Sequence, residues 1–236
     1  MAIAKYKNLT YEYESEHLDI HELPEIKKED AREVLFKTQD IFKTFGIDIY
    51  LAFGTLLGAV RDKDFIDGDL DVDCFVKDEE KLFKNLSNIE TQGLKLIRAA
   101  NYIYSFRYHN NPKCYIDVYI CCPTYTIWRI YCYRLVSSMV PKKYLQDGKI
   151  EFLGREFLCP KNPENILKFW YTDTWNIPIG KFDKTYKCDV TSHYYYKMLP
   201  VYIKSFIRKV IGDRSYLKIK NSIKGQLEEN RCKYLL

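Results

Sequence analysis

Residues 51–76 read LAFGTLLGAVRDKDFIDGDLDVDCFV, and two features of this stretch decide the fold. The first is its opening. An apolar run from Ile47 to Phe53 predicts a strand over 47–53 that breaks at Gly54-Thr55 and gives way to a short helix from Leu56 to Arg61. The second is the alternation of Asp69, Asp71 and Asp73 with Leu70 and Val72, which predicts a strand over 70–76. Side chains two apart on a strand share a face, so the three carboxylates stand in a row at spacings of about 7 Å. Such a row repels itself, and a hard divalent cation with oxygen ligands, Mg²⁺ or Mn²⁺, is its natural counter-charge, the alternative being a solvated acidic turn, which the apolar residues at every intervening position disfavour. A calcium loop is excluded by spacing: from Asp62 position 5 is Ile66, and from Asp67 the required glycine is Val72.

Working outward, Ala31, Val34, Leu35, Ile41, Phe42 and Phe45 recur at helical spacing, which predicts an amphipathic helix from about Glu29 that stops at Gly46. A helix over 78–88 is capped by Asp78, with Glu79 and Glu80 at the positive end of its dipole. Strands are predicted near 94–99, 102–108 and 115–121, a hairpin over 149–158, and a helix opening at Asn162-Pro163-Glu164. Residues 1–27 read as charged and irregular. The whole is α+β, a mixed α/β arrangement around one sheet.

Three further features carry chemistry. Gly54-Thr55 at a strand-to-helix turn offers free N–H groups, a hydroxyl and the positive end of a helix, a place suited to phosphate. Gly58 serves either that turn or helix packing, and Arg61 either binds phosphate or pairs with Asp62 or Asp64. Asp117, flanked by Ile116 and Val118, is a lone acid in an apolar strand. It must meet a cation, a metal or a donor there, and its natural place is beside the acidic strand.

Taken together, Gly54, Thr55, Leu56, Leu57, Gly58 and Arg61, then Asp69, Asp71 and Asp73, then Asp117, resemble the LicD/fukutin family of nucleotidyltransferase-fold enzymes. That family has a Gly-Ser/Thr-Leu-Leu-Gly-x-x-Arg turn, an acidic D-x-D strand and a later strand aspartate. A looser likeness runs through Pro160 to Tyr171 and Trp175 to Pro178, so that the resemblance spans roughly residues 29–183. Two departures stand out: Ile66-Asp67-Gly68-Asp69 replaces Ile-Pro-Trp-Asp, and Tyr171-Thr172 replaces Tyr-Gly.

The resemblance implies a polymerase-β-like fold, a mixed sheet flanked by helices with a helical, aromatic-rich C-terminal extension. One domain would fill 1–236, with the core at about 29–122, a family-specific part at 123–183 and a basic tail at 197–236. It implies Mg²⁺-dependent (or Mn²⁺-dependent) transfer of a phospho-alcohol, such as phosphocholine or a polyol phosphate, from a CDP-linked donor. The acceptor would be a hydroxyl of a cell-surface or lipid-linked glycan, as in lipopolysaccharide or teichoic acid synthesis. Asp71, Asp73 and Asp117 would hold the metal, with Asp117 or Asp69 as the alternative proton acceptor. Gly54, Thr55, Gly58 and Arg61 would seat the phosphates. Two rival readings are a nucleotidyltransferase that passes NMP and releases pyrophosphate, and a catalytically inactive module that binds nucleotide or glycan.

Composition agrees with a globular enzyme. The 236 residues are 47% hydrophobic and 29% charged, which excludes collagen, disorder and a disulfide-dense miniature scaffold. No apolar window reaches membrane-span length and no signal peptide is legible, so a cytoplasmic protein with reduced cysteines is expected. The net charge of +5 is uneven, with ten Lys/Arg against three Asp/Glu in residues 197–236. That basic tail, with Ile203, Phe206, Ile207 and Val210 on one helical face, is either a solvated helix or a peripheral contact at the inner face of a membrane. No nucleic-acid partner is expected. The 21 tyrosines serve either as stacking platforms or as packing.

Overall fold

The computed structural model describes residues 1–18, 25–100, 102–109, 111, 113–125, 131–135, 138–171 and 173–178. The basic tail and its interfacial helix lie outside the described residues. The chain divides into two compact units, Met1–Ala4 with Tyr11–Cys188, and Lys5–Thr10 with Asp189–Leu236. Everything that bears on the site belongs to the first.

Strands β1 (Ala2–Tyr6) and β2 (Leu9–Tyr13) form a small two-stranded sheet where an irregular segment is expected from the sequence. On them the exposed Ile3, Lys5, Thr10 and Glu12 alternate with the more covered Ala4, Tyr6, Leu9, Tyr11 and Tyr13, an edge pattern that charge alone conceals. Helix α1 (Lys28–Thr44) follows, burying Ala31, Val34, Leu35, Thr38, Ile41 and Phe42 on one face, and the chain leaves it through Gly46 at φ +64°.

The central sheet runs β10–β11–β3–β4–β7–β6–β5, where β3 is Tyr50–Leu51, β4 is Val72–Val76, β5 is Leu94–Ala100, β6 is Ile103–Tyr108, β7 is Ile116–Tyr125, β10 is Asp147–Phe152 and β11 is Arg155–Pro160. Strands β8 (Tyr131–Leu135) and β9 (Ser138–Pro141) extend it from the far end of β7. Central β4 is parallel to β7 and antiparallel to β3. All five β4 residues are buried, which explains why it reads as a continuous apolar run apart from Asp73.

Helices α2 (Phe53–Arg61) and α5 (Pro163–Tyr171) pack together on one face of the sheet, while α1, α3 (Glu79–Lys84) and α4 (Leu86–Thr91) take the other. The faces follow from β6: Phe106 meets Phe42 of α1 and Tyr104 meets Phe83 of α3, whereas Ser105 between them points the opposite way.

Several sequence expectations need correction. The strand expected over 47–53 is only Tyr50–Leu51, because α2 begins three residues earlier than expected and absorbs Phe53, Gly54 and Thr55. The acidic strand begins at Val72, so Asp69 and Asp71 precede it and the three carboxylates do not share a strand. Their backbone is satisfied elsewhere: Ile26 N–H donates to Asp69 O, and Leu70 N–H to Asp69 Oδ1, a local side-chain bond that competes with a ladder. The helix expected over 78–88 is two short helices meeting at Asn85. Asp78 does cap the first, accepting from Lys81 N–H at 2.9 Å. Among the described residues no helix is long and apolar enough to cross a membrane.

Candidate functional site

Asp73 is the hinge of the site. The residue is 6% exposed, and both its carboxylate oxygens accept hydrogen bonds. Gly54 N–H donates to Oδ2 at 3.0 Å and the Tyr119 hydroxyl to Oδ1 at 3.0 Å, while Asp73 N–H donates to Thr55 Oγ1 at 2.8 Å. The first turn of α2 is thereby bound to β4, and the positive end of the helix dipole faces the carboxylate. Thr55 is fully buried, so its hydroxyl holds Asp73 in place from inside the fold.

Gly54 is required by close approach. A Cβ at this position would lie 2.8 Å from Asp69 Oδ2 and 3.2 Å from Asp73 Oδ2. The glycine thus marks where the carboxylates of Asp69 and Asp73 converge on the first turn of α2. Phe53 before it adopts a left-handed φ of +34°, a strained conformation for an aromatic residue. Its ring rests on Trp170 of α5 at 4.5 Å and edge-on to Tyr119 at 4.9 Å. The Trp170 indole N–H is buried there with no hydrogen-bond partner among the described residues.

Asp117 lies beside Asp73, in direct register across the parallel β4–β7 pair, as the sequence suggests. It meets a cation and a donor. Arg98 Nη2 contacts both its oxygens, at 3.0 and 2.7 Å, and Ser105 Oγ donates to Oδ1 at 2.5 Å. Asp71 accepts from the Tyr115 hydroxyl at 3.4 Å.

The acids perturb one another. Burial, followed by the charges of Asp117 and Asp69, pushes the Asp71 carboxyl up to about 7. Burial and the charges of Asp71, Asp69 and Asp117 carry Asp73 well above the carboxylate range. Burial raises Asp117 as well, against the lowering pull of Arg98 and Ser105. Like charges gathered in a dry place are the electrostatic signature of a site built for positive charge.

The donor set is all oxygen, which suits Mg²⁺ or Mn²⁺. Among the described residues no three His, Cys, Asp or Glu side chains stand as a ready chelate. A magnesium site needs only one or two carboxylates, with phosphate oxygens and water completing the octahedron, so Asp71 and Asp73 fit that ion.

Two expected residues stand apart. Gly58 is buried, and a Cβ on it would strike Asp64 O at 2.4 Å, so it admits the 64–66 loop against α2. Arg61 is at the opposite end of α2 from Gly54, roughly 10 Å along the axis at 1.5 Å per residue. Its Nε and Nη2 both bind Asp62 at 2.8 Å. Nothing in the sequence singles out Arg98, Ser105 or Tyr115, and Arg98 depends on strand pairing that the sequence does not display. Tyr119 is legible as a neighbour of the site, two residues after Asp117 on the same strand face.

A mixed sheet with an acid pair on adjacent parallel strands, covered by a helix whose first turn binds one of those acids, defines a nucleotidyltransferase-type transferase of phosphorus-containing groups. Residues 46–162 match the family model described as LicD/FKTN/FKRP, nucleotidyltransferase domain, and this part of the chain is a domain of that family. Among solved structures it is similar to the antibiotic-resistance factor ANT(2″)-Ia in solution, at 11% identity and TM-score 0.46, over 88% of this chain and 98% of that one. It is also similar to ANT(2″)-Ia in complex with adenylyl-2″-tobramycin, at 11% identity and TM-score 0.41, over 83% and 97%. A third likeness is to the lincomycin-bound lincosamide antibiotic adenylyltransferase LnuA, at 11% identity and TM-score 0.41, over 61% and 85%. No curated protein matches the chain.

Proposed function

We propose that the protein transfers a phospho-alcohol, of the phosphocholine or polyol phosphate type, from a CDP-linked donor to a hydroxyl of a surface or lipid-linked glycan. The observation that carries this reading is the convergence of Asp69 and Asp73 on the glycine-opened first turn of α2, with the charge of Asp71 felt by Asp73 beside them. Asp71 and Asp73 are the residues to hold Mg²⁺ or Mn²⁺, and the ion would supply charge neutralisation on the diphosphate. The Gly54 amide and the Tyr119 hydroxyl fix the Asp73 carboxylate, and the α2 dipole favours phosphate beside it. In the reaction the acceptor oxygen bonds to the phosphorus carrying the alcohol, the bridging P–O bond breaks, and CMP departs. The hydroxyl proton passes to a carboxylate, for which Asp117 is the better placed because its charge is supported by Arg98.

The basic segment 197–236 would bring the enzyme to an anionic membrane carrying a lipid-linked acceptor. Phosphorus NMR tests the reaction: a panel of CDP-alcohols is incubated with the full chain, Mg²⁺ and hydroxyl-bearing glycans. CMP and a new phosphodiester are expected. Pyrophosphate released from nucleoside triphosphates, with CDP-alcohols untouched, would instead establish nucleotidyl transfer.

A further inference from the structure

Arg98 reaches Asp117 only because β5 contains a bulge. Leu96 pairs with Phe106 on β6, and regular antiparallel pairing would set Ile97 opposite Ser105. The register instead shifts by one residue, so that Arg98 faces Ser105. Without that extra residue Arg98 would fall opposite Tyr104, on the sheet face that carries α3. With it, Arg98, Ser105, Asp117 and Asp73 form one polar row across four neighbouring strands, on the face that carries α2. Bulges commonly re-aim a side chain beside an active site.

The bulge is fastened from outside the sheet. Ile97 O accepts from Glu16 N–H at 2.9 Å, and Ala99 N–H donates to the Tyr13 hydroxyl at 3.0 Å. Glu16 also binds Arg107 at 2.8 Å on the neighbouring strand. Within the row, Arg98 Nε donates to Ser105 Oγ at 2.8 Å, and Ser105 passes the chain on to Asp117 Oδ1. Nη2 spans both Asp117 oxygens. The closed ring uses the planar guanidinium in a way that a lysine ammonium cannot copy.

We propose that Arg98 is a positioning residue that reserves Asp117. Gripped by the guanidinium and Ser105, the Asp117 carboxylate stays outside the metal's coordination shell, which is left to Asp71 and Asp73, and it keeps its charge for the acceptor's proton. This rests on the metal-dependent transferase reading above. It assigns Asp117 a place in the row of strand side chains, and Arg98 the task of keeping it there.

Mn²⁺ titration of the full chain, followed by paramagnetic resonance without any substrate, tests the assignment. Asp117→Asn should leave the Mn²⁺ dissociation constant within about threefold of wild type, whereas Arg98→Gln should tighten binding by about threefold or more, and Arg98→Gln/Asp117→Asn should erase that gain. A general loss of structure would weaken binding, so tightening is a readout that mere scaffolding does not produce. Arg98→Lys, which keeps the buried carboxylate paired, provides the same test with a smaller gain if Arg98→Gln fails to fold. Weakening of about tenfold or more in Asp117→Asn, or unchanged or weaker binding in both Arg98 variants, overturns the proposal. Mn²⁺ binding that ignores Asp71→Asn removes the transferase reading beneath it, whereas Asp71-dependent binding with no effect of Arg98 removes this inference alone.

Discussion

At the scale of single residues, Gly54 and Asp71 give opposite kinds of test. Gly54 leaves room for two carboxylates, and Gly54→Ala places a methyl 2.8 Å from Asp69 Oδ2. The expected result is Mn²⁺ binding weakened by about tenfold, or about 1.4 kcal/mol, read by the same titration, with the far-ultraviolet circular dichroism of the wild type retained. Asp71 gives a pH signature. Its carboxyl has an ordinary value of 3.8 and is pushed up to about 7 in the folded chain by burial and by Asp117 and Asp69. Between those values the folded state holds a proton that the unfolded chain has shed, so this stability is present in acid and lost as pH rises through 7. The metal-free melting temperature should therefore fall between pH 5 and pH 8 more steeply in wild type than in Asp71→Asn. Stabilisation by Mg²⁺ should grow over the same window, because the ion competes with that proton.

At the scale of elements, the contact between α2 and β4 is the joint that matters. Thr55 Oγ1 is the acceptor for Asp73 N–H in a fully buried setting, so Thr55→Val leaves a donor unmet and should cost about 1–3 kcal/mol, while Thr55→Ser should keep most of it. Calorimetric melting of the three proteins decides this, and a loss in Thr55→Ser with Thr55→Val unaffected would point to packing of the methyl group instead. How legible the elements are in the sequence depends on what determines each. Helix α1, the β10–β11 hairpin and α5 show in periodicity, turn residues and caps, all local signals, while the β4–β7 neighbours show only through the lone Asp117 in its apolar strand. The beginning of α2 does not, because Phe53-Gly54-Thr55 looks extended by composition and is made helical by bonds to Asp73, eighteen or nineteen residues away. The acidic row fails as a strand for the related reason that Asp69 binds its own backbone neighbour. Arg98 stays hidden because its meaning comes from a bulge, and alternation over 94–99 gives no hint of an inserted residue.

At the scale of the whole molecule, the sheet stands between two helical layers, with the acids on the α2 and α5 face and apolar contacts such as Phe42–Phe106 on the α1 face. The Phe53–Tyr119–Trp170 cluster backs Asp73 with rings, so the carboxylates sit in a dry wall where charge counts for more than it would in water. The charge asymmetry of the chain belongs to the same scale. Removing residues 197–236 should reduce co-flotation with vesicles rich in anionic lipid, and flotation that is unaffected would remove the membrane contact from the picture.

The central claim is that Asp71 and a divalent ion together bind a CDP-linked donor, and thermal unfolding of the full chain tests it most directly. Wild type and Asp71→Asn are melted with a panel of CDP-alcohols and nucleoside triphosphates, each with and without Mg²⁺. A ligand at a hundred times its dissociation constant adds about 2.7 kcal/mol, roughly 5–10 °C for a chain of this size. The expected result is a rise of that order with one CDP-alcohol, present only with Mg²⁺ and absent in Asp71→Asn. A rise with triphosphates alone, or one that persists without Mg²⁺ or without the Asp71 carboxylate, would contradict the claim.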